Sequence, residues 1–405
     1  MSPSTHDVAI IGGGIVGTAT AMALAVTSRA NVVVLEAEDH LAAHQSGHNT
    51  GVIHSGIFYK PGSLFARLCV EGREALYRFC QDHGVAHERC GKVIIAAEES
   101  DLPGLDELER RGRENGLHGV QRLTGDQIKD HELHAAGVAG LFVPEAGIVD
   151  YAEVTRAYAD QVRKAGGTIL TAARVQRVRR EGAGFVLDTA QGRVQSRSVV
   201  NCGGLQADRI ARMCGVDPGV QVIPFRGQFY ELAPERQGLV RALIYPVPDL
   251  SLPFLGVHIT RTIHGTVQAD PNGALVFRRE GYKFGSVSLR DLLEMVTYRG
   301  FWRMVIKHLG TGVLESVRSA SELAFVKPLQ KLIPELRPED FHATRAGVHA
   351  QAVEPSGAIV DDFRLIQAPG MVHVLNATSP AATSSIRLGE VIASMVANEA
   401  SLASP

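Results

Sequence analysis

At 405 residues the chain exceeds one ordinary domain, which predicts two that share a cofactor or a substrate. Apolar residues are 45% and charged residues 21% of it, the range of ordinary globular proteins. A net charge of −2 with a pI near 6.8 argues against a nucleic-acid partner.

The five cysteines (Cys69, Cys80, Cys90, Cys202 and Cys214) are odd in number and form no CxxC pair. That pattern fits reduced thiols in a cytoplasmic protein and argues against a disulfide framework or a metal site. A first strand beginning at Asp7 leaves no room for a signal peptide, and no run of 18 apolar residues offers a membrane span.

In chain order, Val8-Ala-Ile-Ile-Gly12-Gly13-Gly14-Ile-Val-Gly17 reads as a buried strand, a glycine turn and a helix, followed by the strand Asn31-Val-Val-Val-Leu35 and the acid Glu36. A dinucleotide-binding βαβ unit needs those parts in that order. Gly12 permits the turn, Gly14 lets backbone approach a pyrophosphate, and Gly17 lets helix and strand lie close. The helix start offers free N–H groups and a positive dipole end to phosphate. Glu36 can accept from ribose hydroxyls, which argues against a 2′-phosphate and so against NADP. The fingerprint by itself does not separate NAD from FAD.

The Gly/His/Ser-rich segment His44–Gly56 follows and reads as a loop. Ser63 caps a helix with Leu64, Leu68, Leu76 and Phe79 at helical spacing. Residues 92 to 97 read as a strand, 101 to 136 as charged helices and turns, and Asp150 as the cap of a helix stopping at Gly166-Gly167. Strands are expected at 168–170, 174–179, 185–189 and 194–200, the last running into a second glycine turn, Asn201-Cys-Gly203-Gly204. From about 216 the pattern turns β-rich, at 227–232, 243–247, 254–260 and 274–277. Helical stretches near 288–308 and 313–333 come next, then a strand at 371–375, a small-residue loop and a helix at 388–398.

The fold class expected is therefore α/β, a Rossmann-type domain built from discontinuous segments with an inserted α+β substrate domain. Residues 1–85, 145–215 and 342–405 are assigned to the first, and 86–144 and 216–341 to the second.

Several strings in register carry a family resemblance: His44–Tyr59, Pro224-Phe-Arg-Gly227, Tyr245-Pro-Val-Pro-Asp249, Pro253-Phe-Leu-Gly-Val-His258, Arg279-Glu-Gly-Tyr282 and Ser379-Pro-Ala-Ala-Thr-Ser-Ser385. On them the chain resembles the FAD-dependent D-amino-acid-oxidase superfamily, and within it the L-2-hydroxyglutarate dehydrogenases and oxidases, over nearly its whole length. The resemblance implies an FAD enzyme that oxidises L-2-hydroxyglutarate to 2-oxoglutarate by hydride transfer to flavin N5, with quinone or oxygen as electron acceptor. It implies that Gly12, Gly14, Gly17 and Glu36 hold pyrophosphate and ribose. Val175 would meet the adenine half, and Gly203 would support the cofactor from the second turn. Ser379, Ala381 and Thr383 would approach the flavin ring. His44, Gln45 and Ser46 would shape the cofactor loop.

Oxidising a 2-hydroxydicarboxylate demands a base of near-neutral pKa and cationic or polar groups for two carboxylates. Among 16 histidines, His54 in its glycine-flanked loop and His258 in a strand stand inside family strings. For His258, a satisfied core histidine is the alternative. Arg226, Arg278 and Arg345 are candidate carboxylate anchors, with Tyr59 and Tyr282 as hydroxyl donors; Arg226 equally fits a structural role at a domain crossover. The family strand that usually ends Gly-Val-Arg-Ala-Gln-Ala carries His349 at the arginine position. Arg345 precedes it by four residues, roughly 13 Å of strand rise. That departure leaves room for a related substrate, whether another hydroxy acid, glycerol 3-phosphate or an amino acid; a non-catalytic flavoprotein is the alternative of another class. Residues 298–309, with the only tryptophan among basic and apolar neighbours, suggest a peripheral helix on the inner face of a membrane or, in the plainer reading, a packed helix.

Overall fold

The computed structural model describes residues 5–248, 256–270, 273–283, 285–308 and 322–402. Parts of the expected strand at 254–260 and of the helix at 313–333, like the end of the 298–309 segment, lie outside the described residues.

The first sheet has eight strands. Its centre is parallel, in the spatial order Thr168–Leu170, Val32–Leu35, Thr5–Ile11, Gly192–Asn201, Met371–Asn376. Both faces are covered, which explains the unbroken apolar runs in these strands. Val8, Ile10, Val32 and Val34 pack under helices with Leu24, Leu388 and Ile392, whereas Ala9, Ile11, Val33 and Leu35 pack on the opposite face with Val178, Phe185, Leu187 and Ile210. Beyond Gly192–Asn201 the sheet forks: the hairpin Gly184–Thr189 and Val175–Glu181 pairs with the first half of that strand, and Met371–Asn376, followed by Arg364–Ala368, with its end.

The stretches around 92–143 and 221–275, remote in sequence, share a second sheet of nine strands. They meet where Lys92–Ala96 pairs in parallel with Leu243–Pro246. The strand Phe341–Val353 also belongs to this sheet, because it pairs along Gln221–Leu232 from Val353↔Gln221 to Phe341↔Leu232. The segment assigned to the first domain from 342 onward thus begins with a strand of the second sheet. A small sheet of Val52–Ile53, Gly147–Val149 and His87–Glu88 lies at the seam of the assigned domains.

Two caps fix the elements that reach the seam. Helix Leu64–His83 starts with Ser63 Oγ accepting from Ala66 N–H, while Asp362 accepts from the N–H groups of Leu64 and Phe65 at 2.9 and 2.7 Å. It ends at Gly84 in the left-handed region (φ +68°). A buried ion pair, Arg279 with Asp208, ties the β-rich segment to the second glycine turn, with Arg279 also donating to the Leu205 carbonyl at 2.8 Å. Removing one partner of such a pair costs about 3–5 kcal/mol, so Arg279 is a structural cation.

Candidate active site

The glycine turn is built so that no side chain fits. Gly12 sits at φ +115°, and a Cβ there would stand 2.4 Å from the Cys202 carbonyl oxygen. A Cβ on Gly17 would stand 2.0 Å from the Gly12 carbonyl oxygen, so helix Ile15–Met22 lies on the turn itself. Gly14 caps that helix without a side-chain hydrogen bond, and Ser46 Oγ accepts from Ile15 N–H at 2.9 Å. Glu36 is buried and pins the turn, accepting from Gly13 N–H at 2.6 Å and Glu38 N–H at 2.8 Å. Each carboxylate oxygen keeps accepting capacity for a hydroxyl. The Glu36 carbonyl in turn accepts from Ala173 N–H, two residues before Val175. Bare backbone at a helix start, bordered by a serine hydroxyl and ending at a buried acid, fits the phosphate and ribose of FAD.

At the second glycine turn, Asn201 Oδ1 accepts from Gly203 N–H at 3.0 Å, and Gln45 lies against Gly204. Gln45 Oε1 also accepts from Ala350 N–H at 2.9 Å, which links the loop to the second sheet.

That link is one of several. His44 Nδ1 meets the Tyr282 hydroxyl at 2.9 Å, and the Tyr282 ring lies against His48. Arg226 donates to the Tyr282 carbonyl and to Gln228 Oε1. Arg345 donates to the carbonyls of Gly47 and Asn49 at 3.0 and 2.8 Å. Arg226, Tyr282 and Arg345, expected to meet substrate carboxylates, thus have protein partners that fasten the loop around His44–Asn49 to the nine-stranded sheet. Arg278 is exposed in a groove with Arg174, Gln206 and Glu280.

The structure brings together His54, Tyr59, Ser379 and Thr383. The Ser379 hydroxyl lies 3.0 Å from His54 Nε2 and 3.2 Å from the Tyr59 hydroxyl. Thr383 Oγ1 accepts from His54 N–H at 3.1 Å and meets the Tyr151 hydroxyl at 2.8 Å. The C-terminal return therefore grips the His54 backbone and ring separately. It is pressed into place by helix Leu64–His83, where a Cβ on Gly72 would stand 2.7 Å from Ser384 Cα; Ala381 is buried in the first core. His54 Nδ1 is buried and, among the described residues, has no partner. Burial, reinforced by the charges of Lys92 and His258, holds His54 well below the ordinary histidine pKa, so its imidazole is neutral at pH 7.

His258 lies within electrostatic reach of this centre. Its Nδ1 faces the Gly256 carbonyl at 2.9 Å, its ring stacks on Tyr245 at 4.2 Å, and burial first, then Lys92 and His349, pushes its pKa down to about 4. His349 is half-buried, and burial lowers its pKa too. His349, where the resembling strand usually has arginine, thus stands in the electrostatic reach of His258, while Arg345 does not replace it.

The sequence reading missed Lys92. It is fully buried in the core of the second sheet, with its Nζ 3.7 Å from the Tyr245 ring centroid and 5.1 Å from that of Phe58. The available signal was a lysine opening the otherwise apolar strand Lys92-Val-Ile-Ile-Ala96.

Comparison with known proteins agrees with this architecture. A family model described as FAD dependent oxidoreductase matches residues 7–395. An L-2-hydroxyglutarate dehydrogenase of Indibacter alkaliphilus is 43% identical over 388 residues, covering 95% of this chain and 97% of that one. A mitochondrial L-2-hydroxyglutarate dehydrogenase of Bos taurus is 40% identical, covering 98% and 89%. Among solved structures, the FAD-bound L-alpha-glycerophosphate oxidase of Mycoplasma pneumoniae superposes with a TM-score of 0.81 at 20% identity, covering 97% and 95%, a likeness of fold. With a glycine turn shaped for a dinucleotide and a family match running almost from end to end, the chain belongs to the FAD-dependent oxidoreductases of the D-amino-acid-oxidase type.

Proposed function

We propose that this enzyme oxidises L-2-hydroxyglutarate to 2-oxoglutarate. The observation that carries the reading is the neutral, doubly gripped imidazole of His54 at the meeting of the cofactor loop, the C-terminal return and the second sheet. Relatives at 40–43% identity over most of the chain, named for that substrate, support it.

Gly12, Gly14, Gly17 and Glu36 would hold the pyrophosphate and ribose of FAD, with Ser46 and Gly203 beside them and Val175 toward the adenine end. Bound FAD supplies the two-electron acceptor for the carbinol. The chain's own task is to orient the substrate and remove one proton. As the C2–H bond breaks, the hydroxyl must lose its proton, and His54 Nδ1 is the unpartnered base to receive it. Ser379 fixes the ring through Nε2, and Tyr59 steadies Ser379. His258 and His349, kept neutral by burial, line the pocket without adding charge.

Anaerobic mixing of the holoenzyme with each enantiomer of 2-hydroxyglutarate tests this. The L form should bleach the flavin at millimolar concentration and the D form should not. Failure of the L form, or bleaching by glycerol 3-phosphate or an amino acid instead, would sink the reading.

We also infer that the helix pair Leu289–Thr297 and Arg299–His308 rests on a membrane surface, where a quinone would take the electrons. Leu289 and Ile306 are 76% and 67% exposed, Leu293 and Trp302 are exposed with them, and Arg290, Arg299, Arg303 and Lys307 supply positive charge nearby. Among the described residues no helix is long and apolar enough to cross a membrane. The protein should sediment with vesicles containing phosphatidylglycerol and lose that behaviour when Trp302 and Ile306 are changed to Ser. No sedimentation at low salt would refute the contact.

A further inference from the structure

Lys92 is a buried cation for which the fold itself has no use. Its side chain is 0% exposed, and among the described residues its Nζ has no hydrogen-bond acceptor. An ammonium has three donors, and taking it out of water without a partner is among the most costly burials a protein can make. Among the described residues the π faces of Tyr245 and Phe58 give partial compensation.

Among the described residues the titratable groups around it are Tyr245, against whose ring it lies, Cys69 from helix Leu64–His83, Cys90 just upstream, His54 from the loop and His258 from strand His258–Arg261. None of them is a carboxylate. Burial drives Lys92 down to about 7 against the smaller opposing influence of Cys69 and Cys90, and among the described residues no carboxylate restores it. A second orphan, His54 Nδ1, is coupled to it by charge. Two unpartnered buried nitrogens, one a base and one a cation without counterion, describe a site completed by an anion that brings its own hydroxyl.

We propose that Lys92 is a carboxylate anchor of the substrate pocket, pairing with a carboxylate of the bound 2-hydroxydicarboxylate. The inference rests on the substrate reading above. It assigns to a lysine of the second sheet the clamp expected of Arg226, Arg278 or Arg345, and it compensates for the neutral His349. The ion pair forms only with ligand present. Binding therefore recharges Lys92, and the dianion in turn raises the basicity of His54.

The test uses the holoenzyme and its Lys92→Met variant, which keeps the apolar stem and removes the charge. Three readouts are expected. The variant retains its flavin and melts at or above the wild-type temperature, because an uncompensated buried amine is gone. Its affinity for 2-oxoglutarate, followed by flavin absorbance, falls by roughly 30-fold or more, as for loss of one partner of a buried charged pair. At pH 8 in weak buffer, wild type takes up close to one proton on binding 2-oxoglutarate and the variant takes up none. The histidines, lowered by burial, and Cys69 and Cys90, pushed up to about 12 and 11, do not change charge near that pH.

A flavin-replete variant that binds 2-oxoglutarate like wild type overturns the proposal alone. A variant that loses flavin or melts early overturns it in favour of a structural lysine. If L-2-hydroxyglutarate fails to bleach the wild-type flavin, the substrate reading falls and takes this proposal with it.

Discussion

At the scale of single residues, the imidazole of His54 owes its character to its surroundings. Ser379 and Thr383 hold it from two directions, burial keeps it neutral, and the unpartnered Nδ1 leaves one nitrogen for substrate. His54→Ala removes the proposed base but leaves Gly12 and Gly14, 42 and 40 residues earlier in the chain, untouched. The rate of flavin reduction should fall by about 10²- to 10⁴-fold, the range for a lost general base, while the flavin content of the purified protein stays near wild type. Normal reduction per bound flavin with poor flavin retention would reassign His54 to cofactor binding. The histidine was legible as a candidate because it stands between glycines in a loop. Lys92 was not, since a lysine at the head of a strand ordinarily faces water; its burial comes from Tyr245 and Phe58, distant in sequence.

At the scale of elements, periodicity located strands and helices well where local residues decide them. The strand Thr168–Leu170 and the helix capped by Asp150 fall where expected, because a glycine stop and a capping carboxylate act within a few residues. Strand partners are another matter. Nothing near Phe341–Val353 announces that it pairs with Gln221–Leu232, more than a hundred residues earlier. The same pairing explains Arg345. It projects from that strand beside the cofactor loop, so its guanidinium meets the carbonyls of Gly47 and Asn49, while His349, further along, falls near His258. A displaced arginine in the sequence thus became a loop clasp in the fold.

At the scale of the whole molecule, a core that buries several neutral histidines sets a pH dependence of stability. His258 and His373 are each lowered to about 4 by burial, against about 6.5 in the unfolded chain. Between these values the unfolded state binds more protons than the folded one, so stability rises with pH across that window and is lost as pH falls through it. For His258 the full loss is on the order of 3 kcal/mol. Thermal midpoints should drop steeply from pH 6.5 to 4.5, and His258→Asn should flatten that slope; an unchanged slope would mean that the ring is not buried neutral.

The sequence by itself determined a glycine turn that fits a dinucleotide, the α/β class and the glycine-flanked loop that carries His54. Those depend on glycines that admit no side chain, on unbroken apolar strands and on contacts short in sequence. Only the tertiary structure decided which cations are free. Arg226, Arg279 and Arg345 meet carbonyls and acids contributed by distant segments, and Lys92 does not, because no acidic side chain among the described residues reaches the apolar seam where its strand is enclosed.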